Sequence, residues 1–205
     1  DKWINAERLY GILHLIGAGA LIYASTATTY SHMYWAMLLN MLVYMPTLSL
    51  ANTVSYNALE QYKLDLIKDF PPIRVWGTVG FICAMWAVDL TGFKTGPAQL
   101  YVAAISAIFL GLYAFSLPGC PPARSEGKTM LSAFGLDALV LFKRKKMAIF
   151  FLFSMLLGAA LQITNTYGDL FLSSFASIPQ YADSFGVKHS VILLSISQMS
   201  ETLFI

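Results

Sequence analysis

The sequence predicts an all-α fold, a polytopic bundle of transmembrane helices, and three observations carry that prediction. The first is composition: 57% of the 205 residues are hydrophobic and 12% are charged, where a soluble domain spends about 25% on charge. The mean hydropathy is +0.62. The second is segmentation, because the apolar residues gather into stretches that approach the roughly 20 residues a helix needs to cross a bilayer. The third is the placement of cations, which fall almost wholly on alternate connections between those stretches. Strands are excluded as spanning elements, since an open sheet would leave backbone groups unpaired in lipid.

The first stretch runs from about Tyr10 to Thr28 and contains His14, read as a packing or hydrogen-bonded histidine rather than a proton relay. The second, from about Met33 to Ala51, carries Pro46, which is expected to kink it. The third begins near Arg74, behind the pair Pro71-Pro72 that suits a helix start, and ends near Leu90. The fourth spans about Ala98 to Leu117, the fifth about Met147 to Tyr167, and the sixth starts near Ser190. The chain opens at Asp1 and stops at Ile205 inside an apolar stretch, so a fragment of a longer membrane protein is expected.

Lys2 and Arg8 precede the first span, Lys63, Lys68 and Arg74 lie between the second and third, and Arg124, Lys128 and Lys143-Arg144-Lys145-Lys146 lie between the fourth and fifth. Only Lys94 and Lys188 fall on the other side. By the positive-inside rule the cation-rich side is cytoplasmic. The connection from Pro118 to Lys146 holds a Pro/Gly-rich break, "PGCPPARSEGK", and then "LSAFGLDALVLFKRKK", which predicts an amphipathic helix on the membrane surface. A linker between two groups of spans is expected near residues 120 to 145.

Few residues could carry chemistry. Arg74, Thr78 and Phe81 fall at i, i+4 and i+7, which puts a cation, a hydroxyl and a ring on one helical stripe. They could hold a small polar ligand; alternatively Arg74 is a snorkelling interface charge. Gly77 and Gly80 are expected to serve close helix packing. Gln162 and Asn165, at i and i+3 in "LGAALQITNTYGD", could share one hydrogen-bonded ligand or act as interhelical glue. Gln198 and Glu201 lie in "SISQMSETLFI"; Glu201 is an acid well inside an apolar run, which marks either a functional carboxylate or a structural ion pair. The net charge of +2 suggests no nucleic-acid partner, and the two cysteines make neither a disulfide framework nor a metal spacing. No P-loop, dinucleotide turn, Cys/His cluster or nucleophile elbow is present, which argues against an enzyme.

Four segments together, "YMPTLSLANTVSYNAL", "DFPPIRVWGTVGF", "MAIFFLFSMLLGAALQITNTYGD" and "ISQMSETLFI", resemble the nucleoside:proton symporter family of the major facilitator superfamily. The opening "DKWINAER" is similar to a degraded form of that superfamily's acidic-basic loop motif. The pattern R-x-x-G-x-x-G-aromatic from Arg74 to Phe81 is also similar to sugar:proton symporters, which stand as the alternative reading.

The resemblance implies a twelve-helix carrier of two six-helix halves, of which this chain covers about six spans. Residues 1–119 would be spans three to six, 120–146 the cytoplasmic linker with its amphipathic helix, and 147–205 spans seven and part of eight. Arg74, Thr78, Phe81, Gln162, Asn165, Gln198 and Glu201 would line a central substrate cavity, with Glu201 as the proton-coupling carboxylate. The implied activity is nucleoside import by proton symport and alternating access. No cofactor beyond the coupling proton is implied. The implied setting is a monomer in the lipid bilayer of a bacterial inner membrane.

Overall fold

A computed structural model describes residues 4–93, 96–121 and 136–204, of which 136–138 and 201–204 by backbone alone. Lys2, Lys94, Arg124 and Lys128 of the charge pattern lie outside the described residues. All regular structure among the described residues is helical. The chain divides into two compact units, residues 1–123 with 199–205, and residues 124–198.

In the first unit, α1 (Ala6–Ser25) packs against both α2 (Tyr30–Gln61) and α4 (Ala98–Ala114), while α3 (Leu66–Leu90) leans on α2. The buried face of α1 is made largely of Gly and Ala: Gly11, Gly17, Ala18, Ala20 and Ala24. Small residues let helix backbones approach, which is how helices associate where lipid removes the hydrophobic drive. At the α1–α4 crossing, a Cβ built on Gly11 would stand 2.8 Å from the Gly111 carbonyl oxygen, so only glycine fits. Leu50 and Val54 of α2 are buried in a small cluster with Ala6 and Cys120, while most large apolar side chains stay uncovered. Trp35, Leu42, Trp76, Phe109 and many other large apolar residues are exposed, as a lipid-facing surface requires.

Helix α2 contains 32 residues, about 48 Å of axis, and runs on well past the predicted span. Pro46 lies within it, and the helix continues to Gln61. It ends in a Schellman turn: the Leu64 amide donates to the Leu59 carbonyl and the Lys63 amide to that of Glu60, both 2.9–3.0 Å, with Lys63 left-handed at φ +56°. The same turn ends α3, but there Gly92 takes the left-handed position at φ +73°.

The base of this unit is tied by contacts far apart in sequence. The Glu7 carboxylate is buried and accepts from the Cys120 amide at 2.8 Å and from the Asn5 side chain at 3.0 Å. The Ala6 amide donates to the Cys120 carbonyl at 3.1 Å, and Gln61 Nε2 donates to the Gly119 carbonyl at 2.7 Å. The chain leaving α4 is thus fastened to the start of α1 and the end of α2.

In the second unit, a 3-10 segment (Leu136–Lys143) leads into α5 (Lys145–Ser174), followed by the short α6 (Phe185–Lys188) and by α7 (Ser190–Phe204) as far as Gln198. Of the expected amphipathic helix, Leu136–Lys143 is therefore a 3-10 segment and Lys145–Lys146 open α5; residues 131–135 lie outside the described residues. Gly168 of α5 meets Leu194 of α7, and the Ser190 hydroxyl donates to Asp169.

By length and apolar composition α1, α2, α3 and α5 can each cross a membrane, α5 together with the 3-10 turn Phe175–Ser177 that continues it. The 17-residue α4 and α7 are shorter apolar helices.

Candidate functional site

The start of α3 differs from the sequence expectation. Its N-cap is Asp65, whose carboxylate accepts from the Ile67 amide at 2.8 Å, while Asp69 reaches back to the Asp65 amide at 2.8 Å. This reciprocal cap satisfies two of the donors that every helix start leaves over. Pro71 and Pro72 therefore lie inside the helix, in its second turn, instead of opening it. The cap starts the helix before the prolines, and the amide hydrogens they lack fall just beyond the unpaired first turn. Arg74 consequently sits about 9 Å further along the axis than Lys68.

Arg74, Thr78 and Phe81 all fall within this single helix at the expected i, i+4, i+7 spacing. Arg74 is exposed, Thr78 half-buried and Phe81 50% exposed. Gly77 and Gly80 have open space around them: a Cβ on either meets nothing within 4 Å. The close packing expected of them occurs instead at Gly11, Gly111 and Gly168.

In the second unit, Gln162 and Asn165 are exposed on α5, one helical turn apart, and Gln162 Nε2 contacts Thr166 Oγ1 at 3.4 Å. Gln198 is buried on α7. Glu201 continues that helix by its backbone, and its side chain lies outside the described residues. The sequence-predicted residues thus form three short helical sets: three on α3, two on α5 and two on α7.

A further polar group in the first unit escaped the reading by spans. Leu13, His14 and Gly17 of α1, Asn40, Tyr44 and Thr47 of α2, and Ala103 and Ala107 of α4 line a cleft of about 310 Å³. His14 is 9% exposed, its ring lies tilted at 55° against that of Tyr10 with centroids 4.3 Å apart, and its Nδ1 lies 3.0 Å from the Tyr10 carbonyl oxygen. This bears out the hydrogen-bonded reading of His14. The signal for its partners was present: Asn40, Tyr44 and Thr47 stand at i, i+4 and i+7, the stripe that singled out Arg74.

The sequence profile described as "Nucleoside H+ symporter" matches residues 1–205. The chain belongs to the nucleoside H+ symporter family. Within that family it is 53% identical over 206 residues to the xanthosine permease of Escherichia coli (strain K12), covering 100% of this chain and 49% of the permease. The nucleoside permease NupG of the same organism is 51% identical, again with 100% and 49% covered. The chain thus spans about half the length of the curated relatives it matches. Two crystal structures of the nucleoside transporter NupG, the first of a mutant form, superpose with TM-scores of 0.87 and 0.81 at 51% identity, covering all of this chain and 51% of theirs. This symporter-family chain therefore has the all-helical architecture of a membrane transporter, with the membrane helices that its composition predicted and the transporter type that the resemblance implied.

Proposed function

We propose that this chain is part of a carrier that imports nucleosides together with protons, by alternating access across a bacterial inner membrane. The observation that carries the reading is Arg74, an exposed guanidinium beyond the second turn of an apolar, membrane-length helix, with Thr78 and Phe81 on its stripe. A charge inside a spanning helix is costly unless it faces a partner or water, and it marks a functional position by default. The names of the relatives, xanthosine permease and nucleoside permease, supply the substrate class.

In this proposal residues 1–119 belong to one half of the carrier, 120–146 form the cytoplasmic linker, and 147–205 begin the other half. Arg74, Thr78 and Phe81 meet the nucleoside from the first half. Gln162, Asn165, Gln198 and Glu201 meet it from the second. The guanidinium and amides suit ribose hydroxyls and base edges, and the Phe81 ring suits stacking. Glu201 carries the coupling proton, and no other cofactor is needed.

The test is proton-driven uridine uptake by the full-length protein. Arg74→Ala and Glu201→Gln should each lower the rate by at least about tenfold, the loss of one charge-assisted hydrogen bond. Wild-type rates in both would overturn these roles. Competition by nucleosides, with no competition by disaccharides, separates this reading from a sugar:proton symporter, which the Arg74–Phe81 pattern also fits.

A further inference from the structure

Four consecutive cations, Lys143, Arg144, Lys145 and Lys146, stand at the start of α5, and all four are exposed. Among the described residues none of them has a carboxylate partner; the ion pair found there is Lys188–Asp183. Their position is electrostatically wrong for an isolated helix. A helix N-terminus carries partial positive charge and favours anions, yet the first turn of α5 holds no acid and Arg144 supplies no side-chain cap.

The residues around the cluster are apolar and equally uncovered. Leu139, Val140 and Phe142 precede it at 49–59% exposure, and Ile149 and Phe150 follow at 55% and 61%. Phe142 stacks on Phe151 at 5.0 Å, which joins the 3-10 segment to the α5 surface. A band of cations between two exposed apolar stretches matches a bilayer boundary, with phosphates level with the charges and hydrocarbon against the rings.

We infer that this cluster holds the phosphate headgroup of an anionic phospholipid, with the acyl chains lying along Phe142, Ile149 and Phe150. Charge complementarity selects the headgroup, and the flanking apolar residues select a lipid over a soluble polyanion, which would leave them in water. The inference needs only a membrane setting, and its test contains no nucleoside, so it stands or falls separately from the transport reading.

The test uses the full-length protein in a neutral detergent. Thermal unfolding is followed with phosphatidylglycerol, with phosphatidylcholine of the same acyl chains, or with inorganic phosphate. Phosphatidylglycerol should raise the midpoint by several degrees more than phosphatidylcholine. That difference should shrink as NaCl rises from about 0.05 to about 0.5 M, because exposed charges are screened. The joint variant Lys143→Gln, Arg144→Gln, Lys145→Gln, Lys146→Gln should lose most of the preference, while Lys143→Arg, Lys145→Arg, Lys146→Arg should keep it. Equal shifts from both lipids in the unmodified protein would overturn the inference, and that arm needs no variant to fold. An equal effect from inorganic phosphate, or a full preference surviving in the glutamine variant, would overturn it as well.

Discussion

Glu7 shows how one side chain can hold a distant part of the chain. It is 4% exposed and its carboxylate receives the amide of Cys120, 113 residues away. A buried amide left without an acceptor costs about 1–3 kcal/mol. Glu7→Ala should therefore destabilise the full-length protein by about that amount in thermal or denaturant unfolding. Glu7→Gln keeps an acceptor oxygen and should lose less. A stability change of equal size in both variants would mean that the carboxylate acts in some other way. At the second-unit surface, the Lys188 ammonium lies 2.9 Å from Asp183 and holds that carboxyl below its ordinary value, chiefly by hydrogen bonding. A lowered folded-state value means the pair is intact above the ordinary aspartate range and is lost as pH falls through the lowered midpoint. Lys188→Gln should move the Asp183 titration midpoint, followed by NMR, back upward. Neither contact could be read from the sequence in advance by periodicity. Glu7 sits in a short motif that looked merely degraded, because its partner is set by helix packing and not by local spacing.

At the scale of elements, the two matching turns after α2 and α3 form an internal control. Both need a left-handed residue, supplied by Lys63 in one and Gly92 in the other. An L-residue pays a steric penalty there of about 1–2 kcal/mol, less what glycine loses in unfolded-state entropy. Lys63→Gly should thus stabilise the α2–α3 connection by about 0.5–1 kcal/mol, and Gly92→Ala should destabilise α3's end by a similar amount or more. Hydrogen-exchange protection of Leu64 and Phe93 reads each effect locally. The α1–α4 crossing gives a sharper contrast. Gly11→Ala forces a methyl against the Gly111 carbonyl, whereas Gly19 has open space around it. The first should cost about 1–3 kcal/mol and the second should be close to neutral in the same unfolding measurement. The six apolar elements were legible because bilayer thickness imposes a length that composition reports directly. Their ends were less so. Residues 52–61 of α2 are polar enough to look like a loop, and the Asp65–Asp69 cap that opens α3 lies upstream of the prolines that drew attention.

For the molecule as a whole, the charge pattern and the helical architecture say different things about the site. Hydropathy and cation placement made the bundle legible, because lipid leaves few alternatives to helices. The candidate site was legible only as stripes: Arg74, Thr78 and Phe81 share a face because 3.6-residue periodicity is local. The His14–Asn40–Tyr44 cleft needed three helices to be brought together, and no single stretch announces that. The orientation proposed for the carrier makes its own prediction. A cysteine placed at Asp183 should react with a membrane-impermeant thiol reagent added to intact cells. One placed at Lys143 should react only after permeabilisation. The opposite pattern would invert the topology and remove the cytoplasmic assignment of residues 118–146.

The fastening of Gly119 and Cys120 to α1 and α2 has a mechanical meaning. Tension arriving along the backbone from beyond Cys120 meets Ala6, Glu7 and Gln61 before it meets the last turn of α4. The load is spread over three helices at once, so tugging there would displace α1, α2 and α4 as a block sooner than it would unravel any one of them.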